Sequence, residues 1–194
     1  MQTKGVQVFG YEATGGSLVA MLKAMDTVGY HPKYTLYQPP GYDPSLISGA
    51  GSALGTGVYV YNYIVPFELA STHPATKLYI DLLRRYANGA QPKANGVNAM
   101  SAWLLFAESA KQCGSNLTRA CLIDKARSTT NWDAGGLHAP TAPGNGNSSA
   151  PECFVFLHAT TSGWVVDKNI TKPNRDIFNC DSANAIELPG FKNG

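Results

Sequence analysis

The chain has 194 residues, 44% of them hydrophobic and 14% charged, with a formal net charge of +2. That charge is small and Lys and Arg form no run, which excludes the usual basic nucleic-acid surface. No apolar run approaches the roughly 18 residues of a membrane span, and the 20 Gly and 12 Pro indicate a loop-rich globular chain. The length suffices for one core or for parts of two lobes.

In chain order, Val6–Phe9 reads as a short strand, followed by the loop Gly10–Gly16. Ser17 is a good N-cap for a helix. Leu18, Met21, Leu22 and Met25 then recur at i, i+3, i+4 and i+7, and Gly29 supplies a stop. Tyr34–Tyr37 is a second strand, ended by Gln38-Pro39-Pro40-Gly41. Strand, helix and strand make a βαβ unit, so these two strands are expected to run parallel. Asp43-Pro44 opens a short helix, with Asp as cap and Pro at its first position. Val58–Val65 is β-branched and aromatic throughout and reads as a strand closed by Pro66.

His73-Pro74 begins a helix with Ala75, Leu78, Tyr79, Leu82, Leu83 and Tyr86 on one face. Asn95–Gln112 is a long, largely apolar helix ending at Cys113-Gly114, and Leu117–Arg127 is a shorter one. Residues 129–149 are polar and rich in Gly and Pro, which predicts a loop or linker. Phe154–Thr160, the turn Ser162-Gly163 and Trp164–Val166 form a β-hairpin. The remaining tail reads as irregular, tied back through Cys180.

Four cysteines allow three pairings. Nearest neighbours give Cys113–Cys121 and Cys153–Cys180, the favoured reading. Zinc binding and buried free thiols are the alternatives, although no CxxC occurs and the four His are scattered. Disulfides would place the chain outside the cytosol. Met1-Gln-Thr-Lys-Gly-Val-Gln7 is neither a signal nor a transit peptide, so any export signal is expected to lie outside this sequence.

No GxSxG, HExxH or P-loop pattern is present. His31 and His73 precede prolines, His138 falls in the polar connection and His158 in a strand; none is paired with a nucleophile by spacing. No metal site and no cofactor are expected, and the chain reads as a binding protein and not an enzyme. Gly15-Gly16 before a helix offers N–H groups to an anion, with a plain turn as the alternative. Tyr11, Glu12 and Thr14 follow the first strand, while Tyr37 and Gln38 end the second. Ligands of open α/β sheets bind outside the carboxyl ends of strands. These residues therefore predict a small-molecule cleft lined by aromatic and hydrogen-bonding groups. Alternatively, Tyr11 and Tyr37 cap the core.

Residues 10–33, from Gly-Tyr-Glu-Ala-Thr-Gly-Gly through Gly29-Tyr-His-Pro-Lys33, resemble a stretch of the type I solute-binding proteins. These are the ABC-transporter receptors of the leucine/isoleucine/valine class. Gly55-Thr-Gly-Val-Tyr-Val60, His73-Pro-Ala-Thr-Lys-Leu-Tyr79, Asn116-Leu-Thr-Arg119 and Phe154-Val-Phe-Leu157 before Gly163-Trp-Val agree in their order. The resemblance implies an α/β fold of the type I periplasmic-binding-protein kind: parallel sheets with flanking helices, here incomplete, with a C-terminal β-hairpin.

It further implies that residues 1–65 belong to the second ligand-binding lobe and 66–130 to the helical part of the first. Residues 131–194 would hold the last crossover, the hairpin and the disulfide-tied tail. On this reading the chain corresponds to the C-terminal half of such a protein, as a fragment or as one of two self-associating copies. The ligand-facing loop maps onto Tyr11–Thr14, and the position that commonly holds an ammonium maps near Gln38. A neutral Gln there weakens the case for an amino acid; Glu12 is the substitute, or the ligand is uncharged or a carboxylic acid. Asn95 and Asn98 map to the opposite side of the cleft.

The implied function is the extracytoplasmic solute-binding component of an ABC importer, periplasmic or a cell-surface lipoprotein of a Gram-positive bacterium. Its partners would be a small polar solute and a membrane permease. A ligand-sensing domain of a receptor and a secreted, disulfide-bonded hydrolase are the alternatives.

Overall fold

The computed structural model describes residues 2–13, 15–55, 57–143 and 152–185. Strand β1 (Val8–Tyr11) pairs in parallel with β2 (Tyr34–Tyr37), in the register Val8 to Tyr34 through Tyr11 to Tyr37. Helix α1 (Gly15–Thr27) makes the crossover, burying Leu18, Leu22 and Met25 on the sheet. β2 pairs in parallel with β3 (Val58–Asn62). The connection carries α2 (Pro44–Ala50), whose N-cap Asp43 accepts the Ser45 N–H at 2.9 Å, as the Asp-Pro pair predicts.

β4 (Cys153–Thr160) joins β3 antiparallel, and β5 (Gly163–Val166) pairs antiparallel with β4 to form the hairpin. Because β4 runs against β3, its amino end sits beside the carboxyl ends of the parallel strands. Residues 66–128 are helical where regular, with α3 (Pro74–Tyr86), α4 (Ala94–Cys113) and α5 (Arg119–Ser128). The core joins Leu18, Leu22, Tyr37, Tyr42, Leu46, Val60, Ile64, Leu157 and Trp164. Among the described residues no helix is long and apolar enough to cross a membrane.

Both disulfides form as nearest-neighbour pairing predicts, Cys113–Cys121 stapling α4 to α5 and Cys153–Cys180 tying the tail to β4.

Several elements depart from expectation. β1 starts at Val8 and takes in Gly10 and Tyr11, since its ladder with β2 continues to Tyr37. Tyr11 is therefore a strand residue, not a loop residue. α1 begins at Gly15, which puts Ser17 in its first turn and removes its capping role. β3 stops at Asn62, where the side-chain Oδ1 accepts the Tyr63 and Ile64 N–H groups at 2.9 and 3.3 Å and turns the chain out of the ladder. On α3 the buried stripe runs through Thr76 and Tyr79, leaving Leu78 and Tyr86 exposed.

The connection after Thr129 is not a solvated linker where it is described. Leu137 O accepts the Val65 N–H at 2.9 Å, and Tyr63 O accepts the Ala139 N–H at 2.7 Å. That two-stranded crossing buries Ala134, Leu137, His138 and Ala139. The tail is also more regular than its composition suggests. α6 (Lys168–Thr171) is capped by Asp167, and β6 (Asn179–Cys180) pairs with the first two residues of β4.

Candidate functional site

A cavity of about 500 Å³ opens at the carboxyl ends of β2 and β3. Each part of its wall has a local cause. Gln38 directly follows β2 and precedes Pro39 and Pro40, which have no N–H to continue a ladder and so turn the chain along the rim. Tyr61, Asn62 and Tyr63 come from the end of β3 and the crossing segment. Antiparallel pairing sets Phe156 opposite Tyr61. Period-2 alternation then puts Phe154 on the same outward face, while Val155 and Leu157 turn into the core. The rings of Phe154 and Phe156 meet edge to face with centroids 5.2 Å apart. Asn95 enters from the first turn of α4, and Asn184 from beyond β6, held there by the Cys153–Cys180 bond. Asn184 Nδ2 donates to Glu152 O and to Asn179 Oδ1, both at 2.8 Å.

Of the residues predicted from sequence, Gln38 and Asn95 line this cavity. Asn98 stands one turn behind, its Nδ2 donating to the Tyr63 hydroxyl at 2.8 Å and so orienting a ring of the wall. Tyr37 is 1% exposed and packs in the core, where burial, then the neighbouring Tyr11, push its phenol well above its ordinary pKa. Tyr11 is half-buried and stacks on Phe9 at 6.0 Å. Neither is among the lining side chains. Glu12 is exposed; burial first, and then its charge, raise the Tyr61 phenol. Thr14 lies outside the described residues.

Sequence reasoning missed Tyr61, Asn62, Tyr63, Phe154, Phe156 and Asn184. The alternation in Val58-Tyr-Val-Tyr-Asn62 and Phe154-Val-Phe156 was the available signal, since it marks one aromatic face per strand. Only the pairing of β3 with β4 shows that the two faces meet.

The cation nearest this wall along the chain is already engaged. Lys93 Nζ lies 2.8 Å from Asp43 Oδ2. Burial opposes ionisation of Asp43, but the Lys93 ammonium and the Ser45 N–H override it and hold the carboxyl below the usual range. No group of three His, Cys, Asp or Glu side chains is placed to hold a metal among the described residues.

The fold does bring one serine and one histidine together. Ser101 Oγ is 2.7 Å from His138 Nε2 and accepts the Trp132 indole N–H at 2.8 Å. His138 Nδ1 faces the Ala139 carbonyl at 2.7 Å, so Nδ1 carries the proton and Ser101 donates to Nε2. Burial lowers the His138 pKa, against the Ala139 carbonyl and Asp133. Both residues are buried and neither lines the cavity. The triad ties α4 to the crossing segment.

The periplasmic binding protein family matches residues 1–163. No curated protein sequence matches the chain significantly. Among solved structures, a fatty acid ABC transporter substrate-binding protein from Thermomonospora curvata superposes with TM-score 0.71 at 19% identity, over 85% of this chain and 43% of that one. A branched-chain amino acid ABC transporter protein from Thermus thermophilus, with bound valine, gives 0.68 at 16% identity, over 85% and 46%. A leucine-binding protein from Thermotoga maritima gives 0.63 at 17%, over 83% and 43%. At these identities the likeness concerns the fold. The chain spans less than half the length of each of these structures.

Proposed function

This chain belongs to the periplasmic binding protein family, and from that premise we propose that it acts as the extracytoplasmic solute-binding part of an ABC importer, without turnover. The observation that carries the reading is the cavity of about 500 Å³ at the carboxyl ends of parallel strands, where open α/β sheets take their ligands. Its volume suits a small organic solute. Gln38 and Asn95 contact that solute from two different elements, and Asn98 holds Tyr63 in place. The superposed proteins, a leucine-binding protein, a branched-chain amino acid ABC transporter protein with bound valine and a fatty acid ABC transporter substrate-binding protein, support a solute-binding role. Two disulfides support export to an oxidising compartment, and a membrane permease is the partner that such a role requires.

A thermal-shift screen against L-amino acids, carboxylic acids, amides and fatty acids tests this. A solute present at 100 times its Kd stabilises the folded chain by about 2.7 kcal/mol. That raises the melting temperature of a chain this size by roughly 5–11 °C. A screen without a single saturable shift contradicts the proposal.

A further inference from the structure

Resting on that solute-binding reading, we infer that the cavity takes an uncharged aromatic compound in preference to a free amino acid. Among the described residues, four aromatic side chains supply the wall: Tyr61, Tyr63, Phe154 and Phe156. Among the described residues no Asp, Glu, Lys or Arg lines it. A zwitterion entering such a site loses the hydration of both charges and meets no countercharge on this wall. The cation closest along the chain, Lys93, is held by Asp43, and Glu12 is exposed to solvent. A planar ring meets the opposite conditions, because aromatic walls bind it by apolar burial and by edge-to-face or offset stacking.

Gln38 adds an amide to this wall from the end of β2, the strand beside β3. A neutral amide serves an uncharged polar group of the solute without demanding a countercharge.

The probes are benzamide and isoleucine, titrated calorimetrically into the 194-residue chain. The expected result is saturable benzamide binding at least ten-fold tighter than isoleucine. Phe156→Ala and Phe156→Leu should both weaken benzamide by ten-fold or more, with circular dichroism confirming that each variant folds. Isoleucine binding more tightly, and losing that affinity in Glu12→Gln, would leave the solute-binding role standing and overturn the uncharged class. Neither probe binding while another solute of the screen binds overturns the aromatic class alone. Neither probe nor any screened solute binding overturns both readings.

Discussion

Replacing Ser101 by Ala removes one hydroxyl that serves two buried partners. His138 Nε2 loses its donor at 2.7 Å, and the Trp132 indole N–H loses its acceptor at 2.8 Å. Leaving a buried polar group unpaired costs about 1–3 kcal/mol. Two coupled groups, one of which can partly relax, therefore give about 2–4 kcal/mol. For a chain this size the melting temperature should fall by roughly 4–16 °C.

The same triad makes stability depend on pH. Burial lowers the folded-state pKa of His138 below that of the unfolded chain. Between the two values the unfolded chain binds the extra proton, so stability is lost as pH falls below about 6.5, the unperturbed histidine value. Above that pH His138 is neutral in both states and adds no slope. Urea unfolding of wild type and Ser101→Ala at pH 5.5 and 7.5 measures both effects, and His138→Gln should flatten the acid limb. A Ser101→Ala chain melting within a degree of wild type, or an acid limb unchanged in His138→Gln, would show that the triad does not fasten α4 to the crossing segment.

Four further outcomes follow from the geometry. Gln38→Ala should weaken the best-binding screened solute by roughly ten-fold, read by calorimetry, with little change in the melting of the unliganded chain. Non-reducing peptide mapping should recover Cys113 with Cys121 and Cys153 with Cys180. Cys180→Ser with Cys153→Ser should cost about 2–4 kcal/mol and weaken solute binding, because the bond anchors the segment that carries Asn184. Gly57→Ala should destabilise by about 1–3 kcal/mol, measured by urea denaturation, since a Cβ there would stand 2.5 Å from the Lys33 carbonyl oxygen.

What was legible in the sequence was local. Tyr34–Tyr37, the Asp43-Pro44 cap and the turn of the β4–β5 hairpin each depend on a few neighbouring residues, and each stands where composition puts it. The segment around His138 reads as a linker because the segment it crosses, Tyr63–Val65, lies far away in sequence, and only the folded chain brings the two together. The cavity divides along the same line. Gln38 was readable from its place after a strand, whereas Phe154 and Phe156 belong to the site only because β4 returns antiparallel to β3. Tyr37 shows the limit of strand-end reasoning: alternation turns it into the core while its neighbour Gln38 reaches the wall.

The most direct test of the account is a crystal structure of the chain with the screened solute that raises its melting temperature most. The account predicts that solute between Gln38 and Asn95, against Tyr61 and the Phe154–Phe156 pair. A solute bound elsewhere, such as the smaller pocket of about 190 Å³ beside His31 and Lys33, would contradict it.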